Sequence, residues 1–110
     1  MKIYKGVRHQ TEIEVQMDGQ PFLPDESLKL RNHSPNGFEW GYGGSGPAQL
    51  ALAVLLDCKG KEIALARYQQ FKWAVIAGMG DFWILTEDDV NSWLTLTVEE
   101  EFEGGAPTRA

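Results

Sequence analysis

Residues 30–58 read LRNHSPNGFEWGYGGSGPAQLALAVLLDC, and this stretch decides the fold. Its first half is a polar loop: residues 32–46 contain Pro35 and five glycines, so no continuous helix forms there. Its second half, residues 47–58, is the most apolar segment of the chain. A helix that is apolar nearly all round is usually central, so this segment predicts the core element.

The boundaries of this central helix follow from its flanking residues. Pro47 suits the first helical position, where its missing N–H costs nothing, with Ser45 or Gly46 as the N-cap. Gly60 ends the helix. A flexible loop that leads directly into a core helix needs a defined shape. We therefore expect the loop either to pack under the fold or to hold a ligand.

The residues before the loop predict a small antiparallel sheet. Residues 12–17 alternate apolar and polar side chains, the period of a strand buried on one face, and residues 3–8 form a second strand before it. Asp18-Gly19 is a strong turn signal. Residues 28–30 predict a third short extended segment that runs into the loop.

The residues after the central helix predict further helices. Residues 61–77 place their apolar side chains on one stripe and indicate a second helix. Residues 82–85 are a short apolar segment, either a strand or a packed connector. Thr86, followed by three acids, is typical of the start of a third helix. The prediction is an α+β domain: an N-terminal β-hairpin or small antiparallel sheet packed against two or three helices.

The excess of negative charge is confined to the end of the chain. The 110 residues carry a net charge of −6, but seven acids and one arginine follow Thr86, whereas nine acids and nine bases precede it. We expect a single compact domain over residues 1–97 and an acidic, disordered tail over residues 98–110. Nucleic-acid binders concentrate positive charge, so we do not expect a nucleic-acid partner.

The composition also bears on compartment and chemistry. The chain shows no signal-peptide pattern and no apolar run near the roughly 18 residues of a membrane span, which predicts a cytoplasmic protein and no membrane contact. Two histidines and the single Cys58 give weak support for a metal site, and none is predicted. No spacing typical of nucleophilic catalysis is present, so no catalytic residue is assigned and the cofactor is left open.

Residues 41–46 match G-x-G-x-x-G literally, but the dinucleotide-binding version needs a parallel β-α-β unit that the sequence does not show. The N–H groups of Gly46, Ala48 and Gln49 at the helix start can still hold an anion. The alternative is that the glycines only allow turns and the aromatic side chains pack inward. The candidate ligand-binding residues are Arg31, His33, Trp40, Tyr42, Gly43, Gly44, Ser45 and Gly46.

The block LRNHSPNGFEWGYGGSGPAQLALAVL at residues 30–55 resembles the signature of DUF6166, a family of small uncharacterised domains. The resemblance extends to residues 4–6, 68–73, 83–86 and 93–94, and so covers about residues 3–95. It implies an origin in bacteria, their phages or other mobile elements. It carries no activity over to this chain.

Two functions are predicted from these observations. The first is a small non-enzymatic binding domain whose loop, residues 31–46, binds an anionic or nucleotide-like ligand. The alternative is a protein-interaction module of phage or mobile-element origin that engages a host protein, in which case the loop is structural. The oligomeric state is left open.

Overall fold

The chain begins with an antiparallel hairpin. In the computed structural model, which describes the backbone of residues 1–104 and the side chains of residues 1–97, β1 is Ile3–His9 and β2 is Glu12–Met17. Asp18 closes the hairpin, because its N–H donates to the carbonyl of the first residue of β1 and its Oδ1 accepts from that residue's N–H, both at 2.8 Å. The hairpin predicted from the alternating pattern is confirmed.

Two further strands complete the sheet. β3 is Gln20–Pro21 and β4 is Phe82–Thr86, and the strand order is β3-β2-β1-β4 with every pair antiparallel. Gly6 of β1 lies opposite Trp83 of β4. A Cβ atom at Gly6 would lie 2.3 Å from the indole of Trp83, so only glycine lets that ring cross the strand. The large side chains buried on the inner face of the sheet are Tyr4, Val15, Trp83 and Leu85.

The other regular elements of the described chain are four α-helices and one 3₁₀ turn: α1 Asp25–Leu30, α2 Ser45–Lys59, α3 Lys61–Ala74, the turn Ile76–Gly78 and α4 Glu87–Gly104. α2 packs against α1, α3 and α4. The sheet and these helices share one hydrophobic core. The predicted α+β class, with a small antiparallel sheet packed against helices, is therefore confirmed.

The core is built around α2. Every residue from 46 to 55 is buried, and the side chains of Leu50 and Leu55 are completely buried. Gly60 has a φ of +91°, a conformation that glycine adopts without strain, and it both ends α2 and precedes the first residue of α3. The prediction of a central helix that ends at Gly60 is confirmed.

α3 ends at Ala74 rather than at residue 77, where the second helix was expected to end, and two further elements differ from the sequence expectation. Residues 28–30 were expected to be extended, but they lie in α1. Asp25 and Glu26 favour the positive end of this short helix, and the Ser27 hydroxyl donates to the Pro24 carbonyl at 2.8 Å. A helix of six residues is too short to show a helical period, which is why the pattern missed it.

The second difference is the start of α2, which lies at Ser45 rather than Pro47. The Ala48 N–H donates to the Gly44 carbonyl at 3.1 Å, so the helical hydrogen bonds begin at Gly44, before Pro47. The loop is correspondingly shorter than predicted.

The start of α4 agrees with the sequence, because the Thr86 N–H donates to Asp89 Oδ2 at 2.9 Å and the Asp89 N–H donates to Thr86 Oγ1 at 3.0 Å. This is a reciprocal helix cap. α4 runs past the predicted domain end at residue 97, as far as Gly104. Residues 105–110 lie outside the described residues, and the disorder of the tail stays a prediction.

Candidate functional site

The first half of the glycine-rich loop is fixed by one buried amide, the side chain of Gln49 in the first turn of α2. Its Oε1 accepts from the backbone N–H groups of His33 at 2.8 Å and Ser34 at 3.1 Å. Its Nε2 donates to Ser27 Oγ at 2.8 Å and to the Arg31 carbonyl at 3.1 Å. Because both donors and both acceptor positions of the amide are filled, the loop is held without a ligand.

The second half of the loop is held by Arg8 of β1. Arg8 Nη1 lies 2.8 Å from the Glu39 carboxylate, and Nη2 donates to the Trp40 carbonyl at 3.1 Å. The guanidinium also lies 4.7 Å from the centre of the Trp40 ring. On its other side, Trp40 Nε1 donates to the Gly80 carbonyl at 2.7 Å. These contacts join the loop to the sheet and to the segment before β4.

Three of the predicted ligand-binding side chains point to different parts of the molecule. Arg31 is exposed, and its Nη1 donates to the neighbouring Leu30 carbonyl at 2.8 Å. His33 Nε2 lies 2.8 Å from the Tyr68 hydroxyl of α3. Trp40 is buried in the core, with 1% of its surface exposed. The structure therefore does not bring these three together, and their role in binding stays a prediction.

The remaining predicted residues lie where the loop enters α2. Tyr42 is 52% exposed, and Trp73 of α3 is 64% exposed. The Trp73 ring lies directly over Gly43, where a Cβ atom would lie 2.1 Å from the indole, and a Cβ atom at Gly44 would lie 2.3 Å from the Tyr42 ring. Ser45 is exposed beside them. We call the surface formed by Tyr42, Gly43, Gly44, Ser45 and Trp73 the aromatic loop surface.

The start of α2 is more enclosed than the sequence suggested. Gly46 is buried, and a Cβ atom there would lie 2.6 Å from Glu39 Cβ. The prediction that the Ala48 N–H is available to an anion is wrong, because this group donates to the Gly44 carbonyl. The helix starts earlier than the proline indicated, so the amide became part of its first turn.

A polar cluster joins β1 to the end of α2. The Tyr4 hydroxyl donates to Asp57 Oδ2 at 2.6 Å and lies 3.0 Å from Cys58 Sγ, while Lys2 Nζ lies 3.2 Å from the same Oδ2. Burial raises the pKa of the Tyr4 hydroxyl, and its hydrogen bond to Asp57 raises that pKa further. Burial also raises the pKa of the Cys58 thiol, although the contact with Tyr4 opposes this change. A protonated, half-buried thiol is a poor nucleophile. The hydrogen bonds of the cluster connect β1 to the end of α2.

The half of the outer sheet face formed by β1 and β4 exposes several apolar side chains, whereas β2 presents Glu12 and Glu14 on that face. Ile3 and Val7 of β1 are each 39% exposed, Phe82 of β4 is 61% exposed and Ile84 is 51% exposed. Val7 lies directly opposite Phe82, and Lys5 lies opposite Ile84. An antiparallel sheet with one face on the core normally carries polar side chains on the other. We call these four apolar side chains the outer sheet patch.

Two grooves flank the exposed side chain of Leu23. One, of about 470 Å³, is lined by apolar side chains such as Phe22 and Leu56, with the Asp57 carboxylate at its edge. The other, of about 350 Å³, lies on the side of Phe38. Neither groove is lined by the residues predicted to bind a ligand.

Two further features of the described residues concern metal binding and membrane insertion. Within residues whose side chains the structure describes, no three histidine, cysteine or acidic side chains are grouped so that they can hold a metal ion. None of the helices in the described part of the chain combines the length and the apolar character needed to cross a membrane.

Sequence reasoning missed the two side chains that hold the loop, Gln49 and Arg8. Gln49 did leave a signal, because it is the one polar side chain between Pro47 and Leu56 of the most apolar segment. A polar side chain at such a position is buried and must find partners. Arg8 left no comparable signal, since an arginine near the end of a strand is commonly exposed.

The fold and its surfaces define a class: a small α+β domain with a fixed loop and an exposed apolar sheet face. A family model described as "Family of unknown function (DUF6166)" matches residues 4–96. The chain belongs to this family, DUF6166, and the predicted resemblance is confirmed. No curated protein and no solved structure matches the chain.

Proposed function

We propose that this chain is a non-enzymatic protein-interaction domain that binds its partner through the outer sheet patch. The observation that carries the proposal is the exposure of Ile3, Val7, Phe82 and Ile84 on one face of two paired strands, around Lys5. Contiguous exposed apolar side chains on a small domain commonly mark a surface that another protein covers. Burying them on a partner removes apolar area from water at about 25 cal/mol per Å².

The state of the loop supports this choice over a ligand-binding loop. Gln49 and Arg8 hold the loop with protein groups alone, and Trp40 is used by the core. The loop therefore contributes to the fold, which favours the outer sheet patch as the surface that contacts a partner. This is the second of the two functions that the sequence predicted.

The proposal includes a setting for the interaction. We place the protein in the cytoplasm of a bacterium, encoded by the cell, a phage or another mobile element, with a host protein as the partner. The single cysteine, Cys58, supports a reducing compartment, because it has no partner within residues 1–110 for a disulfide.

A site-specific photo-crosslinker tests the proposal directly. Benzoylphenylalanine is placed at Phe82, in the outer sheet patch, and separately at Ile63, which is 38% exposed on α3. Irradiation of bacterial cells expressing each variant is expected to give a discrete covalent adduct from position 82. Mass spectrometry of that adduct identifies the partner.

The variant at Ile63 is the matched control, because it carries the same crosslinker on an exposed apolar position outside the patch. Adducts of equal yield from both positions, or none from position 82, contradict the proposal. Circular dichroism of each purified variant checks that the fold is retained.

A second candidate function is supported by the aromatic loop surface. The exposed ring of Trp73 lies over Gly43 and that of Tyr42 over Gly44. The ammonium of Lys72, a residue that is 8% exposed, lies 4.4 Å from the centre of the Trp73 ring. Exposed aromatic rings stack on bases and sugars, and a lysine beside them favours an anion. We therefore also propose a nucleotide-like or other anionic ligand at this surface.

A thermal-shift screen tests this second candidate. Nucleotides and inorganic anions are added to the wild type and to the variants Trp73→Ala and Arg31→Ala. Stabilisation of the wild type that is lost in Trp73→Ala supports a ligand on the aromatic loop surface. Loss in Arg31→Ala assigns that residue to the site as well. Unchanged melting of the wild type with every anion rejects the candidate, and Lys61→Ala is the control for nonspecific charge effects.

A further inference from the structure

One edge of the sheet carries free backbone hydrogen-bonding groups. The Arg8 N–H donates to the Asp81 carbonyl and the Glu87 N–H donates to the Lys2 carbonyl, at the two ends of the β1–β4 pairing. In an antiparallel pair the residues that bond to the neighbour alternate with residues that face away. The odd-numbered residues of β4 therefore bond to β1, and its even-numbered residues direct their N–H and C=O groups to the open edge.

Two residues of β4 are left with both groups free. The Thr86 N–H donates to Asp89 Oδ2, so it is already used by the cap of α4. Phe82 and Ile84 keep both an N–H and a C=O at the open edge. Within the part of the chain that the structure describes, no strand pairs with β4 on this side.

The two edges of the sheet differ in how they are protected. β3, at one edge, is only two residues long and ends in Pro21, and both features prevent further pairing. β4 reads FWILT over Phe82–Thr86 and contains no proline, glycine or charge. Proteins normally protect a long edge strand with such residues, because an unprotected edge pairs with other chains.

We propose that β4 accepts an extended segment of the partner protein as a fifth strand, with apolar side chains at alternate positions and Lys or Arg at its ends. This inference rests on the proposed protein-interaction function and specifies the way in which the partner binds. The alternate side chains of the added strand lie beside Phe82 and Ile84, so the outer sheet patch grows across the new strand. Main-chain hydrogen bonds supply affinity and the side chains supply specificity.

The charge at both ends of β4 argues for a basic partner segment. Asp81, whose side chain is 82% exposed, precedes the strand, and its Oδ1 lies 3.3 Å from Arg8 Nε. Because Arg8 is also paired with Glu39, these three side chains keep one net negative charge at that end. Asp88 and Asp89 are exposed just after the strand.

A second copy of the chain is a poorer occupant, because antiparallel pairing centred on Ile84 sets Asp81 against Glu87 of the other copy. Each copy also carries a net charge of −6. A strand with basic ends is attracted where a second copy is repelled.

The test uses a synthetic probe, acetyl-Lys-Thr-Val-Thr-Val-Thr-Lys-amide, and a matched peptide with Glu in place of Lys. On titration of the ¹⁵N-labelled chain, the Phe82 and Ile84 amide resonances are expected to shift, and their hydrogen exchange to slow by about tenfold or more. The Glu peptide is expected to bind at least about tenfold more weakly. Shifts on another surface, or none at millimolar probe, overturn the proposal.

Removing a main-chain hydrogen bond, either from β4 or from the probe, distinguishes strand addition at the edge of β4 from side-chain contact with the outer sheet patch. Ile84→Pro removes an N–H that β1 does not use, so the fold is expected to remain while probe affinity falls about tenfold or more. Ile84→Thr keeps that N–H and is expected to retain the affinity within a few-fold. If Ile84→Pro does not fold, a probe methylated at the nitrogens that face β4 replaces it, and equal binding by that probe overturns the proposal.

The outcomes for the two proposals are distinct. A crosslinked partner at Phe82 together with undiminished binding of the methylated probe leaves the interaction function standing and rejects strand addition. If no partner is crosslinked at Phe82 but the probe pairs with β4, the interaction function is rejected, whereas the ability of β4 to accept a strand is retained. Sedimentation of the free chain as a dimer with protected Phe82 and Ile84 amides shows that a second copy occupies the edge, and overturns the choice of a basic partner.

Discussion

At the scale of single residues, the path of the loop depends on the buried amide of Gln49. Gln49→Ala leaves the His33 and Ser34 N–H groups without their acceptor. We expect it to lower the free energy of unfolding by about 2–4 kcal/mol. Urea denaturation measures this change. The control is Gln69→Ala, an exposed glutamine of α3, which is expected to change stability by less than about 0.5 kcal/mol.

The two arginines near the loop are expected to behave differently. Arg31 is exposed and bonds only to the carbonyl of its neighbour, so Arg31→Ala is expected to cost less than about 0.5 kcal/mol. Arg8 is paired with Glu39 and Trp40, and Arg8→Ala is expected to cost about 1–3 kcal/mol through the acceptors that it leaves unpaired. Unfolding curves that rank the two variants in the reverse order show that the loop is held differently.

The cluster of Tyr4 and Cys58 predicts a loss of stability at high pH. The pKa values of both groups are raised in the folded chain from their ordinary values of 10.0 and 9.0. The unfolded chain therefore loses these protons first, so their contribution is complete below about pH 9 and declines as the pH rises above it. Denaturation at a series of pH values is expected to show a shallower decline for Tyr4→Phe. Identical slopes for the two proteins contradict this account.

At the scale of helices and strands, α2 is the element on which the core depends. Leu55 is completely buried, so Leu55→Ala removes apolar contacts and leaves a cavity. We expect a loss of about 2–5 kcal/mol, a large part of the stability of a small domain. A loss below about 1 kcal/mol in denaturant unfolding is incompatible with the described position of this helix.

The end of α4 allows a second test of the element boundaries. Val90 and Leu94 are the buried side chains of this helix among residues 87–97, and both are retained when the chain is truncated after Thr97. The melting temperature of the truncated chain is therefore expected to stay nearly unchanged. A fall of many degrees shows that residues beyond 97 contact the body of the domain.

Elements with a long apolar period were predictable, and short ones were not. Alternation in β2 and the apolar run of α2 gave both elements close to their observed limits. α1 was not predicted because its six residues do not complete two helical turns. The start of α2 was misplaced by two residues because Pro47 is compatible with several positions of a first turn.

The loop was predictable as a fixed structure, but the source of its shape was not. The sequence indicated that residues 31–46 either pack under the fold or hold a ligand. The choice depends on contacts with β1 and with the segment before β4, which are distant in sequence. A pattern read along one segment cannot give such partners, so Arg8 and Gly80 had to be found in three dimensions.

At the scale of the whole molecule, the two sides of the sheet have different roles. The inner face packs on α2 through side chains such as Tyr4 and Leu85, while the outer face exposes Phe82 and Ile84. Leu55→Ala and Tyr4→Phe change side chains on the inner side. The crosslinking and strand-addition experiments concern the outer side, and changes there are expected to alter binding with little effect on folding.

The pairing of β1 with β4 has a consequence for synthesis on the ribosome. Tyr4 pairs with Leu85, so the first strand must wait for nearly the whole domain to be translated before this ladder can close. The hairpin of β1 and β2 and the helix pair joined at Gly60 involve only nearby residues and can form earlier. Until β4 emerges, β1 offers a nascent chain an unpaired edge beside Ile3 and Val7. The residues of β4 thus end the exposure of the β1 edge, and the open edge of the finished sheet is that of β4 itself.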